Sequence, residues 1–514
     1  MATAVPAVAV CSPASVFADG EGPKIMSGPF EGTRESLKAY RIPEWFRDAK
    51  FGIWAHWGPQ SAPEQGDWYA RNMYLQDTRQ YKYHVEHYGH PSRFGFKDVI
   101  HTWKGEHFDA DHLVGLYRKA GAKYFMSMGV HCDRFNLWQA RHSRWNAAKM
   151  GPKQDIVKAF RKATLKHGLR FGVSEHSWCS YKWFSVARGS DLKGPLAGVS
   201  YDGANPNDTD LYGDCPIVYR DLPWNEEGIP EKCRREWFAN IKDLIDQAEP
   251  DIFYCDGKIP FETWGLSLVA HLYNQNAQRH GGDNQAVFTS KGREDVREGL
   301  CVLDRERGMA EGIRPAPWQM CTCIGDWHYQ QDNDYKTPKR VIDILVDTVS
   351  RNGNLLLNFP LRSNGTLDAD EMKILDEITA WMAVNGEAIH GTRPWKVAGE
   401  GPNTVTVDPK KRHAEDSRKD FTADDVRFTT KGGTLYAFFM GWPDRELLIA
   451  PLARDRSYLA GKILDVELVG FRGKVTWKHA DEGLRVQLPT ERPSRHACAL
   501  KITGLETQPA QGII

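Results

Sequence analysis

The apolar run Ile252-Phe253-Tyr254-Cys255 stops on Asp256 and then Gly257. The same pattern recurs along the chain. His56 follows "FGIWA", His131 and Asp133 follow "YFMSMGV", Glu175 and His176 end "LRFGVS", Lys291 follows "AVFTS" and Glu306 follows the run in "GLCVL". A single aspartate in such a place also serves as a turn cap, and a single histidine is ordinarily a hydrogen-bonded core residue. Acids, bases and hydroxyl-binding groups repeated at several strand ends instead describe a pocket that grips a polyhydroxylated ligand. Splitting a glycosidic bond needs two carboxyl groups, one acting as nucleophile or base and the other as an acid with a raised pKa. Asp256 suits the first role and Glu306 the second. Arg305 and Arg307 beside Glu306 favour its ionised form, so burial would have to prevail for the pKa to rise. Asp304, Glu294 and Glu311 are open rivals for that role. Trp57, Trp68, Trp138, Trp178, Trp318 and Trp327 lie near the strand ends and fit sugar faces, though tryptophan is equally ordinary core material.

Two further clusters suggest metal and then argue against it. In "HVEHYGH" the spacing of His84, His87 and His90 drifts around a helix, and the surroundings read as a loop with solvent-facing histidines. In the long segment "LKGPLAGVSYDGANPNDTDLYGDCP", Asp202, Asn205, Asp208 and Asp210 are ordinary turn formers without the glycine and glutamate spacing of a calcium loop. A loop of this length is read as a binding loop or lid. Neither metal nor cofactor is expected.

The elements that must carry these residues alternate. Strands are predicted at "FGIWAHWG", "AKYFMSMGVH", "LRFGVSEH", "DIFYC", "AVFTS" and "NLLLNF", separated by helices such as "DADHLVGLYRKAG", "KQDIVKAFRKATLKHG" and "EKCRREWFANIKDLIDQAEP". This alternation builds a parallel sheet with helices outside. Six strands are readable rather than eight, and an irregular (β/α)8-type barrel is preferred to an open sheet on chain length and on the lack of a phosphate-binding glycine loop. In such a barrel the C-terminal strand ends meet at one mouth. Past residue 393 the texture changes to short alternating runs, "TLYAFFMGW", "KVTWK" and "LRVQLP", which predict an antiparallel β-sandwich. The expected division is a tail over 1–30, a barrel over 31–392 and a sandwich over 393–514. The run "DPKKRHAEDSRKD" reads as a solvated loop.

Composition narrows the partners. Lys+Arg and Asp+Glu both total 67 in 514 residues, so no net field draws the chain to nucleic acid or to an anionic membrane. The ten cysteines lack paired spacing and read as buried thiols. The small, apolar, proline-interrupted start resembles either a signal remnant or an ordinary terminal tail. A periplasmic or secreted location is the corresponding expectation.

The motifs "WFRDAKFGIWAHWG", "QGDWYARNMY", "HCDRFNLW", "MGPKQDIVKAF", "EPDIFYCDG" and "RNGNLLLNFPLRSNGTL" occur in this order and resemble those of glycoside hydrolase family 29, the retaining α-L-fucosidases, from about Glu31 to the end of the chain. The resemblance implies an irregular (β/α)8 barrel with a C-terminal β-sandwich, no metal, and double displacement through a glycosyl-aspartate. It assigns Asp256, at the end of the family's W-x-D strand, as nucleophile, and Glu306, before Pro317-Trp318, as acid/base. His56, Asp67, Trp68, His131 and Lys291 match positions of its sugar-binding set, and Tyr254 and Trp318 are expected beside them as substrate-binding residues. Departures concern the pocket wall. The family's HHDGF is His131-Cys132-Asp133-Arg134-Phe135, its aromatic strand end is Ser174-Glu175-His176, and Lys291 stands where arginine is frequent. Glu175 or His176 could satisfy the C6 hydroxyl that distinguishes L-galactose from L-fucose. The expectation is a retaining exo-α-L-glycosidase acting on glycans with terminal α-L-fucose, with α-L-galactosidase as the alternative. A non-catalytic carbohydrate-binding protein on the same scaffold is the reading from another class.

Overall fold

Eight parallel strands close into a barrel in strict chain order: β1 (Phe51–Ala55), β2 (Tyr124–Val130), β3 (Arg170–Glu175), β4 (Ile252–Cys255), β5 (Val287–Ser290), β6 (Val302–Glu306), β7 (Trp318–Cys323) and β8 (Gly353–Asn358), with β8 pairing back onto β1. The computed structural model describes residues 22–310, 312–403, 413, 415, 418–444 and 446–508. Residues 1–21, which hold most of the tail, and Glu311 lie outside the described residues.

The connecting helices start and stop where their chemistry dictates. Asp109 caps Ala110–Lys119, Asp155 caps Ile156–Lys166 and Thr337 caps Pro338–Ser350, each accepting a backbone N–H at the third position beyond. Helix Ala369–Asn385 opens with a capping box between Asp368 and Glu371. Gly121 and Gly168 follow two of these helices at positive φ, +93° and +69°, the left-handed exit that glycine takes without strain.

The barrel is followed by a sandwich of two antiparallel sheets. One has five strands, β9 (Arg393–Glu400), β10 (Val426–Lys431), β11 (Thr434–Phe439), β13 (Gly461–Leu468) and β16 (Cys498–Leu505). The other has three, β12 (Glu446–Ile449), β14 (Thr476–Ala480) and β15 (Gly483–Gln487). Its joint with the barrel is polar as well as apolar. Asp347 on helix Pro338–Ser350 is buried and accepts from Arg427 of β10 at 2.7 Å and from Arg351 at 3.2 Å, with Arg418 at 3.8 Å. Trp381 donates to the Ala497 carbonyl at 2.6 Å. Burial is offset there by the three cations, which hold the Asp347 carboxyl down at about 2.

Three local expectations change. The two strands beyond the six that periodicity reveals are β6 and β7, whose sequences "VLDRE" and "WQMCTC" carry charged and polar residues inside the barrel. The "HVEHYGH" stretch is mostly helix Arg79–His87, and His84 is buried between the Tyr69 hydroxyl (2.7 Å) and the Phe94 carbonyl (2.8 Å) rather than facing solvent. Most of the charged run over 408–420 lies outside the described residues. Within it, Glu415 and Arg418 are buried, and Thr322 on β7 donates to Glu415 at 2.7 Å, so these two do not belong to a solvated loop. Among the described residues no helix is long and apolar enough to cross a membrane.

Candidate active site

Strand alternation decides which of the polar strand-end residues reach the mouth. Side chains two apart on a strand share a face, and in this barrel Trp54 and His56 on and after β1, Tyr254 and Asp256 on and after β4, and Lys291 and Glu306 beyond and on β5 and β6 line one cavity of about 980 Å³. Asp256, Glu306, His56, Asp67, Trp68, His131, His176, Tyr254 and Lys291 are all in its wall.

Two predicted residues are not. Glu175 precedes His176 by one position and therefore points the other way, out of the barrel. There Trp237 of helix Glu231–Ala248 donates to its Oε2 at 3.1 Å, as does the Ser177 N–H at 2.8 Å, and the Cys255 thiol donates to its Oε1 at 3.3 Å. Its side chain is fully buried, which raises its pKa, and no part of it lines the cavity. Trp318 begins β7, at the end of the barrel away from the mouth, and its indole donates to the Arg351 carbonyl at 3.0 Å. Trp57 and Trp138 are likewise core residues, donating to Arg362 and Asp243.

The acidic pair is joined by one ammonium. Lys291 Nζ contacts Asp256 Oδ1 and lies 2.7 Å from Glu306 Oε2. Trp327 donates to the other Glu306 oxygen at 3.1 Å, the Tyr254 hydroxyl donates to Asp256 Oδ1 at 3.3 Å, and His176 Nδ1 is 3.4 Å from Asp256 Oδ2. Burial by itself raises the pKa of Asp256. Lys291 and His176 outweigh it and hold the carboxyl well below the usual carboxylate range. Burial acts on Glu306 in the same sense and is again overcome by Lys291, so Glu306 is also lowered. A raised pKa for Glu306, which its role as an acid had required, is therefore not what the resting site shows. Among its rivals, Asp304 lies one layer deeper in the barrel against Gln319 and Cys321, with burial lifting it to about 6. Glu294 is exposed on helix Arg293–Arg297. Of the described candidates, Glu306 alone shares the cavity with Asp256.

Two of the histidines, His56 and His131, are set up as neutral hydrogen-bonding groups. Burial, reinforced by neighbouring imidazoles, pushes His56 and His131 well below the ordinary histidine range. Asn358 donates its amide to the Trp327 carbonyl at 2.9 Å, so its oxygen faces His56 Nδ1 at 2.9 Å and makes that nitrogen the donor. His56 Nε2 is then an acceptor. Gln60 places its amide nitrogen 3.0 Å from His131 Nδ1, which makes His131 Nε2 a donor. One ring thus offers an acceptor and its neighbour a donor.

Sequence reasoning missed Trp54, Trp224, Asp326, Arg307, His328 and His413. Trp54 could have been found from its parity with His56. Its ring lies 4.2 Å from His56 and 4.6 Å from Tyr254, at the cavity floor. His328 sits 2.6 Å from Asp67 Oδ1, on the segment after the unrecognised β7. Cys132, in place of a motif histidine, turns away to bond the His176 carbonyl at 3.2 Å. Arg134, in place of the motif glycine, adopts the left-handed φ of +61° that glycine would take freely. Asp202, Asp208 and Asp210 are engaged by Tyr74, Tyr212, Lys97 and Arg144.

A closed barrel with paired carboxyl groups at its mouth, in a cavity of histidines and tryptophans, is the architecture of a glycoside hydrolase acting on O-glycosyl bonds. The chain belongs to the α-L-fucosidase family, glycoside hydrolase family 29, whose profile matches residues 21–387, with the α-L-fucosidase C-terminal domain matching residues 418–503. It is 28% identical to human plasma α-L-fucosidase over 499 residues, covering 93% of each chain, and 26% identical to rat tissue α-L-fucosidase over 486 residues, covering 91% of each. The fold matches that of Thermotoga maritima α-fucosidase in complex with fucose at a TM-score of 0.69 and 22% identity, over 92% of this chain and all of the other.

Proposed function

We propose that the protein is an exo-acting α-L-fucosidase that removes terminal α-L-fucosyl residues from glycans with retention of configuration. The sugar is that of the α-L-fucosidase relatives, and the observation that carries retention is the single Lys291 ammonium touching both Asp256 and Glu306. Two hydrogen bonds through one nitrogen keep the facing oxygens within roughly 6 Å. That suits the ~5–5.5 Å separation of retaining enzymes better than the ~6.5–9.5 Å that leaves room for an inverting water. Asp256 attacks the anomeric carbon as the bond to the glycosidic oxygen breaks, and Glu306 gives that oxygen its proton. In the second step Glu306 takes a proton from water, which displaces Asp256 from the sugar. His56 and His131 accept from and donate to ring hydroxyls.

A second reading, α-L-galactoside hydrolysis, is favoured by one observation: His176 Nε2 is buried without a hydrogen-bond partner, which an added hydroxyl would satisfy. Comparing kcat/KM on 4-nitrophenyl α-L-fucopyranoside and the α-L-galactopyranoside separates the two. The fucosidase reading expects the fucoside to be faster by at least about tenfold, and a faster galactoside overturns it.

Because Lys291 favours the ionised form of Glu306, the protonated acid is scarce at neutral pH in the free protein, and kcat/KM is expected to peak on the acid side of neutrality. A cation lowers the pKa of neighbouring carboxyl groups, so Lys291→Met should raise both. Both limbs of the bell-shaped profile then move to higher pH, and kcat/KM at its maximum falls on the order of 10²-fold. An unmoved profile would mean that Lys291 does not set these ionisations.

A further inference from the structure

The cavity is far larger than one six-carbon sugar requires, which leaves room for what the sugar is attached to. Beyond Asp256 its wall is formed by Trp178 and Trp224, on the chain leaving β3, and by Lys258 after β4. Trp178 is fixed in place. Its Nε1 donates to the Asp256 carbonyl at 2.7 Å, and its ring lies over Gly257, where an added Cβ would stand 3.0 Å from Nε1 and 3.2 Å from Cε2. That packing is why a glycine follows the aspartate.

Trp224 is the exposed one among the protein's 18 tryptophans, at 47%, yet it is held firmly. Its ring centroid is 5.6 Å from Trp68 and 6.4 Å from Trp178. The next residue, Asn225, is gripped by the buried Lys182, whose Nζ donates to the Asn225 side-chain oxygen at 2.6 Å and to its carbonyl at 3.2 Å. Glu226 pairs with Lys258 at 3.2 Å. A buried lysine thus anchors a loop tip whose chief product is an indole presented to the cavity. An apolar ring bordered by hydrogen-bonding groups is what the C–H face and hydroxyls of a pyranose match. Lys258 and Lys291 are already committed to carboxylates, and Arg307, the third cation of the wall, is turned to Cys323 Sγ and the Gly325 carbonyl, which favours a neutral ring over an anionic one.

We propose that Trp224, backed by Trp178, is the leaving-group subsite and takes the neutral pyranose rings of the glycan that bears the L-sugar. This builds on the fucosidase reading of the same cavity. The test compares kcat/KM on 2′-fucosyllactose, which has a sugar leaving group, with that on α-L-fucosyl fluoride, which has none. In Trp224→Ala the ratio of the two is expected to fall about tenfold, and Trp224→Phe, which keeps a ring, should restore most of it. An unchanged ratio in Trp224→Ala overturns the subsite. Free lactose should also quench the indole fluorescence of the wild type and not that of Trp224→Ala, and equal quenching of both would contradict the proposal. If the wild type cleaves neither fucoside while the Trp224-dependent quenching persists, the fucosidase reading falls and the sugar subsite stands.

Discussion

Asp256→Asn is expected to lower turnover of 4-nitrophenyl α-L-fucopyranoside on the order of 10⁴-fold or more, while L-fucose still binds within a few-fold of the wild-type affinity. The amide is isosteric and leaves the Lys291–Glu306 contact at 2.7 Å in place, so the pocket keeps its shape. What is lost is the anion that attacks the anomeric carbon. Asp256 is suited to that task in the resting protein, since Lys291 and His176 overcome its burial and keep it ionised. Steady-state kinetics with calorimetric titration of fucose separate the two effects. A variant that retained a tenth of wild-type turnover would remove Asp256 from the chemistry.

Glu306→Gln should instead show a loss that depends on the leaving group. An oligosaccharide alkoxide departs poorly without a proton, so kcat/KM on 2′-fucosyllactose is expected to fall about 10³-fold. Fluoride needs far less acid assistance, and α-L-fucosyl fluoride should lose roughly tenfold or less in the same parameter. Equal losses on both substrates would reduce Glu306 to a positioning residue for Lys291 and Trp327, each of which it bonds. The same comparison made with Asp304→Asn should show no such dependence, because that carboxyl is buried below the cavity against Gln319 and Cys321.

Much of this site is legible in the sequence because barrel geometry converts a one-dimensional signal into a three-dimensional one. An apolar run that stops on a polar residue marks a strand end, and all such ends meet at one mouth. Asp256, His56, His131, His176 and Lys291 are legible this way, whereas Glu306 is marked only by the short run before it and by its family motif. Failures came where parity or strand identity was unread. Glu175 and His176 are adjacent, so only one of them can face the barrel axis, and it is His176. Trp318 looked like a mouth residue because β7 was not recognised as a strand, and it opens that strand instead of closing it. β6 and β7 escaped notice because Asp304, Gln319 and Thr322 put buried polar groups where a strand pattern expects hydrocarbon. Trp224 had no local signal at all, since its position depends on Lys182 and Trp68, both distant in sequence.

Asp256 is expected to carry the sugar covalently between the two steps. The most direct measurement is mass spectrometry of peptides after trapping with 2-deoxy-2-fluoro-α-L-fucosyl fluoride, whose fluorine slows release of the intermediate. One fluorofucosyl group per chain is expected, on the peptide containing Asp256 and at that residue. A label on Glu306 or elsewhere, or an unlabelled protein that turns the reagent over, would contradict it.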